Sequence, residues 1–307
     1  MNCIEDGWMK KILVIMATYN GEKYLEEQLN SILQQKNVSV DILVRDDGSS
    51  DSTVTILNQY RENGKLEWYT GEHLNVAHGF FDLMLKAKQK KSDYIAFSDQ
   101  DDVWDLDKLT VAVDKLDKFD QDVPNLYYCG QNLVDEKLHP IAVHELNKNR
   151  TLKTRFIMSD FAGCTGVFNR ALLDAVTSYK PNYMLMHDTW ILKICIALGG
   201  NVVVDPHAHM QYRQHGGNTV GLGKSIPAYM KQVKQYLTEY RIEKQLRELY
   251  SGYSEKMLPD YKRLTEIVLG YRTSIKNKLF LLNKENVNFF NKGLNLTYSI
   301  KVLFNRL

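Results

Sequence analysis

The sequence predicts an α/β fold, a mostly parallel β-sheet with flanking helices, followed by a C-terminal helical extension. Over about the first hundred residues, continuous apolar runs typical of buried strands alternate with apolar stripes at helical spacing. From about residue 226 onward, apolar residues recur at i, i+3, i+4 and i+7, the spacing of an amphipathic helix. We therefore expect an α/β domain over residues 1–222 and a helical extension over residues 223–307.

The first part of the chain contains four predicted strands, at residues 12–17, 41–44, 65–69 and 94–97. Helical stripes lie between them, so a crossover helix connects each strand to the next and the strands run parallel. Parallel strands end at one edge of their sheet, and ligands bind in the crevice at that edge. Polar clusters follow three of the four strands, at residues 18–20, 46–47 and 99–102. We therefore expect several acids to face one crevice.

The pattern becomes less regular after about residue 125. Short strands are predicted at residues 126–129, 166–168, 201–204 and 210–213. An apolar stripe that includes Trp190 and Ile194 predicts a helix before the third of these strands. Two further stripes, at residues 233–240 and 264–271, predict helices of the C-terminal extension.

The composition is that of a folded globular protein. Hydrophobic residues make up 44% and charged residues 25% of the 307 residues, which excludes a mainly disordered chain. The 39 basic residues nearly balance the 37 acidic ones, so the net charge does not indicate a nucleic-acid partner. The distribution is uneven, because residues 261–307 contain nine basic and two acidic residues, a net charge of +7.

Cysteine spacing and the N-terminus favour a cytoplasmic location. The four cysteines are widely separated and form no C-x-x-C pair, so neither a zinc site nor a disulfide framework is predicted. Glu5 and Asp6 stand where a signal peptide carries positive charge. No apolar stretch reaches the roughly 18 residues that a transmembrane helix needs.

An acidic motif follows the fourth predicted strand. Asp99, Asp101 and Asp102 place three carboxylates on a short loop, where like charges are costly unless a cation lies among them. A hard divalent ion such as Mg²⁺ or Mn²⁺ prefers oxygen ligands of this kind. The alternative is a solvated acidic loop that caps a helix beginning near Asp105. The position after a buried strand favours the metal site.

A second acidic turn follows the second predicted strand. Ser50 or Asp51 can cap the helix that comes next, which is the simplest interpretation of this segment. Capping leaves Asp46 and Asp47 at the strand end without a structural role. We expect these carboxylates to accept hydrogen bonds from a nucleotide base or from ribose hydroxyls.

Three segments together resemble the family 2 glycosyltransferases of the GT-A fold. They are Ala-Thr-Tyr-Asn-Gly at 17–21, Asp-Asp-Gly-Ser-Ser-Asp at 46–51 and Ser-Asp-Gln-Asp-Asp-Val-Trp at 98–104. The last segment resembles the bacterial rhamnosyltransferase-like branch, which builds cell-wall or capsular polysaccharide. The resemblance covers roughly residues 10–222. It implies an inverting glycosyltransferase that uses Mg²⁺ or Mn²⁺ and moves a sugar from a nucleotide diphospho-sugar to a saccharide or lipid-linked saccharide acceptor.

The resemblance also implies roles for individual residues, and we carry these over only where residues match. Those implied to bind the nucleotide-sugar are Thr18, Tyr19, Asp46, Asp47, Asn75, Asp99 and Arg213. Those implied to contact the donor or acceptor sugar are Trp104, Gly163, Cys164, Thr165 and His187. Those implied to bind the metal are Asp101, Asp102 and His215. Asp188 is implied to be the general base, which an inverting transfer requires to deprotonate the acceptor hydroxyl.

Simpler interpretations of the downstream residues stay open from the sequence alone. The Gly-Cys-Thr-Gly segment at 163–166 can be a tight turn before a strand. Asp188 can complement the positive end of its helix. An isolated histidine such as His215 is more often solvated or satisfied than a ligand, although Arg213 two residues before it suits a diphosphate.

The sequence also bears on which sugar is donated and on which other classes of protein are excluded. The resemblance favours dTDP-L-rhamnose, with UDP-hexoses as the alternative, and a non-catalytic sugar-nucleotide-binding protein is a further alternative. A dinucleotide dehydrogenase is excluded because no G-x-G-x-x-G motif follows the first strand. A sugar nucleotidyltransferase is disfavoured because no glycine-rich loop with Arg and Lys stands there.

The basic C-terminal segment, residues 261–307, alternates basic and apolar residues. The apolar ones are Phe280, Leu281, Leu282, Phe289, Phe290, Leu303 and Phe304. This pattern is typical of a segment that lies at a membrane interface, so we expect peripheral contact with the inner face of the plasma membrane. The alternatives are packing onto the catalytic domain or onto a second subunit in a homodimer.

Overall fold

A computed structural model describes residues 9–72, 74–215 and 241–307. Within these residues, nine strands form one sheet with the order β3-β2-β1-β4-β8-β6-β9-β5, and β7 pairs with β6. The strands are β1 (Lys11–Thr18), β2 (Ser39–Asp46), β3 (Glu67–Thr70), β4 (Tyr94–Ser98), β5 (Val103–Trp104), β6 (Asn125–Val134), β7 (Pro140–His144), β8 (Val167–Asn169) and β9 (Asn201–Arg213).

The first half of the sheet is parallel, as the sequence predicts. Strand β1 pairs in parallel with β2 on one side and with β4 on the other, and β2 pairs in parallel with β3. Thr18 is in register with Asp46, and Met16 with Ser98. This alignment places the loops after β1, β2 and β4 at the same edge of the sheet.

The second half of the sheet is mixed. Strand β8 lies antiparallel between β4 and β6, whereas β6 and β9 pair in parallel. The two strands predicted at 201–204 and 210–213 are one long strand, β9, whose register against β6 shifts on either side of Gly130. These register shifts keep β9 hydrogen-bonded along its length, so the irregular sequence between the two apolar runs does not end the strand.

The helices predicted between the first four strands, the helix that contains Trp190 and the helix of the 264–271 stripe are present with shifted ends, whereas the helices at 152–157 and 170–176 were not predicted. The helices of the described residues are α1 (Leu25–Leu33), α2 (Thr53–Glu62), α3 (Val76–Ala87), α4 (Lys108–Leu116), α5 (Leu152–Ile157), α6 (Arg170–Val176), α7 (His187–Ala197), α8 (Ile242–Tyr253), α9 (Pro259–Leu269), α10 (Ile275–Leu282) and α11 (Lys292–Leu303). A short 3₁₀ helix, Gly163–Thr165, precedes β8.

Apolar side chains cover both faces of the sheet. Along β1, Ile12 and Val14 belong to the layer that contains α1, α2 and α4, whereas Leu13 and Ile15 belong to the layer that contains α3, α6 and α7. This alternation follows from the period of two in a strand. The second layer continues without interruption into helices α8 to α11, so the C-terminal helices share the hydrophobic core of the sheet.

The predicted stripe at 264–271 forms α9 and its end, whereas the stripe at 233–240 and the expected domain boundary at 222 lie outside the described residues.

Among the apolar residues assigned to a membrane interface, Leu281 and Phe289 are buried in the core, so that assignment is wrong for them. Phe290, Leu303 and Phe304 are exposed. In the part of the chain that the structure covers, none of the helices has the length and apolarity of a membrane-spanning segment.

Candidate active site

Two neighbouring cavities open at the carboxyl edge of β1, β2 and β4. The first, which we call the Thr18 cavity, has a volume of about 270 Å³, and Thr18, Tyr19, Asp47, Gln100 and Asp101 are among its walls. The second, which we call the Asp188 cavity, has a volume of about 350 Å³, and Gly163, Cys164, His187 and Asp188 are among its walls. Both cavities share Val76, Asp99 and Tyr212. The structure thus brings residues from both halves of the sheet to one crevice.

Gln100 joins the loop after β1 to the loop after β4. Its Oε1 accepts hydrogen bonds from the Thr18 hydroxyl and from the backbone N–H of Tyr19, and its Nε2 donates to the Tyr19 carbonyl. Sequence reasoning missed this residue, although it stands between the acids of the motif. A Cβ at Gly21 would lie 2.4 Å from Gln100 Oε1, so a larger residue there would displace the Gln100 side chain from this position.

Asp46 has a structural role, so the expectation that it lacks one is wrong. Its Oδ2 accepts the backbone N–H groups of Gly48 at 3.1 Å and Ser49 at 3.0 Å, and its Oδ1 accepts the Ser49 hydroxyl. These bonds hold the turn in which Gly48 has a φ of 87°, a left-handed conformation that favours glycine. Asp46 is buried, and its oxygens are engaged by the turn rather than presented to a ligand.

Asp47 faces the Thr18 cavity and is held there by Arg45. The buried Arg45 guanidinium donates from Nε to Asp47 Oδ1 at 2.7 Å and from Nη1 to Asp82 Oδ2 at 2.6 Å. It also donates to the Glu72 carbonyl. The neighbouring carboxylates raise the pKa of Arg45 although burial opposes this. The placement of Asp47 is consistent with its predicted contact to a nucleotide.

Asn75 also has a local structural role. Its Oδ1 accepts the backbone N–H of His78 at 3.0 Å and so caps the N-terminus of α3. Its side chain is exposed, whereas the next residue, Val76, lines both cavities. The segment therefore reaches the site through Val76.

The acidic motif occupies three different environments. Asp99 faces both cavities, and burial together with the nearby Asp101 charge raises its pKa to about 7. Asp102 is fully buried, which raises its pKa well above the ordinary value. Asp101 pairs with His215, because its Oδ2 lies 2.6 Å from His215 Nε2.

The motif fits a hard divalent cation. Asp99, Asp102 and Cys164 each place a potential ligand atom within 4.8 Å of the others. Oδ1 of Asp102 accepts the Arg213 backbone N–H at 3.1 Å, whereas Oδ2 is buried and finds no hydrogen-bond donor among the described residues. Carboxylate oxygens with raised pKa values and an unpartnered buried atom are what a cation would neutralise. The thiol is the softer donor and suits Mg²⁺ or Mn²⁺ less well.

A buried lysine lies beneath the motif, and sequence reasoning missed it. Lys108 Nζ donates to the Cys164 carbonyl at 2.6 Å and lies 3.3 Å from the centre of the Trp104 ring. Burial lowers the pKa of Lys108 to about 8, and the neighbouring acidic groups oppose that shift. Trp104 is buried in the apolar layer with α1 and α4, so the expected contact between its ring and a sugar is wrong.

The Arg213 guanidinium supports the acidic loop in this structure, and its contact with a diphosphate stays a prediction. Its Nε donates to the Asp101 carbonyl at 2.8 Å and its Nη1 to the Glu136 carbonyl at 2.6 Å. Its Nη2 pairs with Glu27 Oε2, and the group packs over the Tyr24 ring. The side chain is buried, and these bonds use all three of its nitrogens.

The 3₁₀ turn before β8 holds the buried Asp188 carboxylate. The Gly163 N–H donates to Asp188 Oδ2 at 3.2 Å, and the Thr189 N–H donates to Oδ1. Burial raises the pKa of Asp188 to about 6, although these two hydrogen bonds favour the ionised form. Thr165 is fully buried and donates its hydroxyl to the Ala162 carbonyl at 2.7 Å, so it stabilises the turn and the expected sugar contact of its side chain is wrong.

His187 is an uncharged ring in the wall of the Asp188 cavity. Its ring centre lies 3.9 Å from that of Phe80 in a stacked arrangement and 4.8 Å from that of Phe97. Neither ring nitrogen has a hydrogen-bond partner within the residues that the structure describes, and burial lowers the pKa of His187 to about 3. A Cβ at Gly163 would lie 2.4 Å from His187 Nε2, so any larger residue there would displace the ring or the turn.

The profile of glycosyl transferase family 2 matches residues 13–177 of the chain. The chain is 30% identical over 234 residues to the dTDP-rhamnosyl transferase RfbG of Shigella flexneri. That alignment covers 71% of this chain and 78% of the relative. The matched residues include the loops after β1, β2 and β4 and the turn that contacts Asp188.

Solved structures share the fold at lower identity. Residues 1–349 of Staphylococcus aureus TarS in complex with UDP-GlcNAc match with a TM-score of 0.57 and 17% identity, over 95% of this chain and 90% of that chain. The mannosyltransferase PcManGT of Pyrobaculum calidifontis, in complex with GDP-Man and Mn²⁺, matches with a TM-score of 0.58 and 16% identity, over 98% of this chain and 89% of that chain. Both likenesses support the GT-A architecture that the sequence motifs predict.

Proposed function

We propose a donor and a reaction for this chain, which belongs to glycosyl transferase family 2 and has the GT-A fold. The donor is dTDP-L-rhamnose, and the acceptor is a saccharide or lipid-linked saccharide of a bacterial cell-surface polysaccharide. Transfer inverts the anomeric centre. The identity to a dTDP-rhamnosyl transferase supports this choice of donor.

The observation that carries the proposal is the junction of the two cavities at Asp99. The Thr18 cavity has Asp47 in its wall and the Asp188 cavity has Asp188, and Asp99 lines both. A nucleotide in the first cavity would direct its sugar towards the second. The leaving diphosphate and the base would then lie on different sides of the sugar, as a single inverting displacement requires.

Asp188 would act as the general base. Its carboxylate takes the proton of the acceptor hydroxyl as the acceptor oxygen forms a bond to the anomeric carbon. The bond from that carbon to the diphosphate oxygen breaks, and the electron pair leaves with the diphosphate. A pKa of about 6 keeps Asp188 ionised at neutral pH and makes it more basic than an ordinary aspartate. The N–H groups of Gly163 and Thr189 orient the carboxylate.

His187 would contact the sugar as a neutral imidazole. Its lowered pKa keeps the ring uncharged at neutral pH, and the ring forms part of the wall of the Asp188 cavity. Both ring nitrogens are buried, so the contact with the sugar would be made by the ring itself. The stacking on Phe80 fixes the orientation of the ring. A neutral ring beside Asp188 also leaves the pKa of the base unaffected by a second charge.

The acidic motif would hold Mg²⁺ or Mn²⁺ through Asp99, Asp101 and Asp102, with His215 beside Asp101. When bound, such an ion supplies Lewis-acid neutralisation of the charge on the leaving diphosphate. This role is supported by the raised pKa of Asp99 and by Oδ2 of Asp102, which has no hydrogen-bond donor among the residues that the structure describes. Lys108 offsets part of the negative charge beneath the motif.

UDP-hexoses are the alternative donors, because a UDP-GlcNAc complex is found in a protein of the same fold. Thermal unfolding of the full chain with dTDP-rhamnose, dTDP-glucose, UDP-glucose and UDP-GlcNAc, each with and without Mn²⁺, separates the two. We expect the largest rise in melting temperature with dTDP-rhamnose and Mn²⁺, since a ligand that binds only the folded state stabilises it. Asp47→Asn should reduce that rise, whereas Asp174→Asn, which changes an exposed acid on α6, should not.

A larger rise with a UDP-hexose would reassign the donor. No rise with any of the four nucleotide-sugars would contradict nucleotide-sugar binding. Inversion is tested by transferring labelled rhamnose and determining the anomeric configuration of the product. An α-linked product from a β-linked donor, or a β-linked product from an α-linked donor, would support inversion.

A further inference from the structure

We propose that helices α10 and α11 form a docking surface for an anionic lipid membrane. The surface consists of apolar side chains that point away from the protein core, and we call it the C-terminal apolar face. Its residues are Ile275, Leu279, Leu296, Ile300, Leu303 and Phe304. This inference rests on the exposure and charge of these helices and is independent of the proposed donor.

Helix α11 is apolar on two opposite sides. Tyr298 and Val302 pack into the core. On the other side, Leu296, Ile300 and Leu303 follow at i, i+4 and i+7, and the first and last are 64% and 56% exposed. A surface helix ordinarily carries polar residues on its outer side, so this helix has an apolar stripe without a partner within the described part of the chain.

Helix α10 and the residue after α11 add further exposed apolar side chains to this stripe. Ile275 and Leu279 lie one turn apart on α10 and are 78% and 62% exposed, whereas Leu281 is buried. Phe304, directly after α11, is 70% exposed. Since α10 packs against α11, the exposed apolar residues belong to one pair of neighbouring helices.

The charge around the face complements an anionic surface. Residues 271–307 contain seven basic residues and one acidic residue, a net charge of +6. Lys276, Lys284, Lys292 and Arg306 are exposed. Arg272 instead pairs with Glu243 at 2.7 Å. Apolar side chains bordered by lysines are the pattern of a helix that lies in the interface of a membrane with anionic lipids.

A second copy of the chain fits this face less well. A two-fold dimer brings the same surface of each subunit together, so the exposed Lys276, Lys284 and Lys292 of one copy would approach those of the other. Like charges brought together in this way repel, whereas anionic headgroups attract them.

The test is co-sedimentation of the full chain with vesicles. One set contains phosphatidylcholine alone, and the other contains equal parts of phosphatidylcholine and phosphatidylglycerol. We expect binding to the anionic vesicles at low salt, about tenfold or more weaker binding at high salt, and little binding to phosphatidylcholine alone, since the attraction is screened by salt.

Two variants locate the surface. The double variant Leu296→Gln and Leu303→Gln should lose binding to the anionic vesicles, and Lys284→Glu with Lys292→Glu should lose it as well. Val143→Gln is the matched control, because Val143 is an exposed apolar residue on β7, away from the C-terminal helices. All variants change exposed side chains, and thermal unfolding at unchanged melting temperature confirms that each is folded.

The proposal is wrong if the full chain stays in the supernatant with anionic vesicles at low salt. It is also wrong if the leucine variant pellets as well as the original chain. A dimer in light scattering that the leucine variant converts to a monomer, without vesicle binding by either, would assign the face to a second copy instead.

Discussion

The backbone N–H of Gly163 donates a hydrogen bond to Asp188 Oδ2 at 3.2 Å. This bond joins the 3₁₀ turn before β8 to the first turn of α7, which are 25 residues apart in the chain. It places a buried carboxylate in the wall of the same cavity as Asp99. The tight turn and the acid at the helix start, which can each be explained separately from the sequence, are parts of one arrangement.

Asp188→Asn should reduce turnover by about 10²–10⁴-fold, because an amide cannot take the proton of the acceptor hydroxyl. Donor affinity should change little. The substitution removes a buried charge but turns an NH2 group towards one of the two backbone N–H donors, of Gly163 or Thr189, so the two effects on stability oppose each other. Steady-state transfer and donor titration measure turnover and donor affinity. Asp174→Asn on the exposed side of α6 is the control. Near-normal turnover of Asp188→Asn would reassign the base.

Activity should fall on the acidic side of neutral pH. The pKa of Asp188 is raised to about 6, so the base is ionised above that pH and becomes protonated below it. The acid limb of kcat/KM should therefore lie near pH 6 and report the protonation of Asp188. Asp188→Glu should keep an acid limb. Activity that stays constant down to pH 5 would contradict ionised Asp188 as the base.

The raised pKa of Asp188 also makes the stability of the fold depend on pH. The direction is opposite to that of a salt-bridged aspartate, whose pKa is lowered. The pKa of Asp188 is higher in the folded chain than in the unfolded chain, where it is near 3.8. The folded state therefore binds this proton more tightly, so ionised Asp188 destabilises the fold above about pH 6 and that cost is lost as pH falls towards 4. Urea unfolding should show that the stability of Asp188→Asn relative to the original chain is higher at pH 7.5 than at pH 4.5. An equal difference at both pH values would contradict the raised pKa.

Gly163→Ala should impair the reaction while leaving the fold intact. The added methyl group would lie 2.4 Å from His187 Nε2, so either the ring or the turn must move. Both movements disturb the hydrogen bond to Asp188, and we expect turnover to fall by about 10²-fold, as for a misplaced catalytic group. Gly293→Ala is the control, since a Cβ there meets its nearest atom at an ordinary 3.4 Å. Unchanged turnover of Gly163→Ala would show that the turn does not position the base.

Arg45→Met should lower the free energy of unfolding by about 3 kcal/mol, because it leaves two carboxylates without their buried partner. Those carboxylates are Asp47, 2.7 Å from Nε, and Asp82, 2.6 Å from Nη1. Urea unfolding measures the loss, and Arg61→Met at an exposed site of α2 should change stability by about 0.5 kcal/mol or less. A cost for Arg45→Met as small as that of the control would show that the pairs contribute little.

Chelation should abolish transfer, and added Mn²⁺ or Mg²⁺ should restore it. Mn²⁺ alone should raise the melting temperature of the original chain, and Asp101→Ala should remove that rise because Asp101 faces the Thr18 cavity beside His215. Asp114→Ala, at an exposed acid of α4, should retain it. Full transfer activity in excess EDTA would exclude a metal requirement.

Local patterns were sufficient to predict the alternating strands and helices of the first hundred or so residues. They also predicted which loops meet, because the ends of parallel strands necessarily share an edge. The antiparallel insertion of β8 between β4 and β6 was not predictable in this way. Strand pairing joins residues that are far apart in the chain, and a three-residue strand carries little signal of its partner.

Some site residues can be recognised from local sequence patterns, whereas others depend on contacts between distant parts of the chain. The acidic clusters mark the crevice because an acid after a buried strand is conspicuous in the sequence. Whether a given side chain is available to a ligand depends on its neighbours in space, as the bonded carboxylate of Asp46 and the buried ring of Trp104 show. Gln100 and Lys108 could not be predicted from the sequence, because their roles depend on contacts with the distant residues Tyr19 and Cys164.

The sequence by itself determined the family, the α/β architecture and the strand ends that form the site, because these follow from local periodicity and short motifs. Only the tertiary structure decided which polar atoms are already bonded within the protein, how far burial raises the pKa of Asp188, and which C-terminal apolar residues join the core. Leu281 and Leu303 look alike in the sequence, yet the first is buried and the second exposed. Burial and hydrogen bonding depend on the whole surrounding shell of atoms, and that shell is assembled from distant parts of the chain.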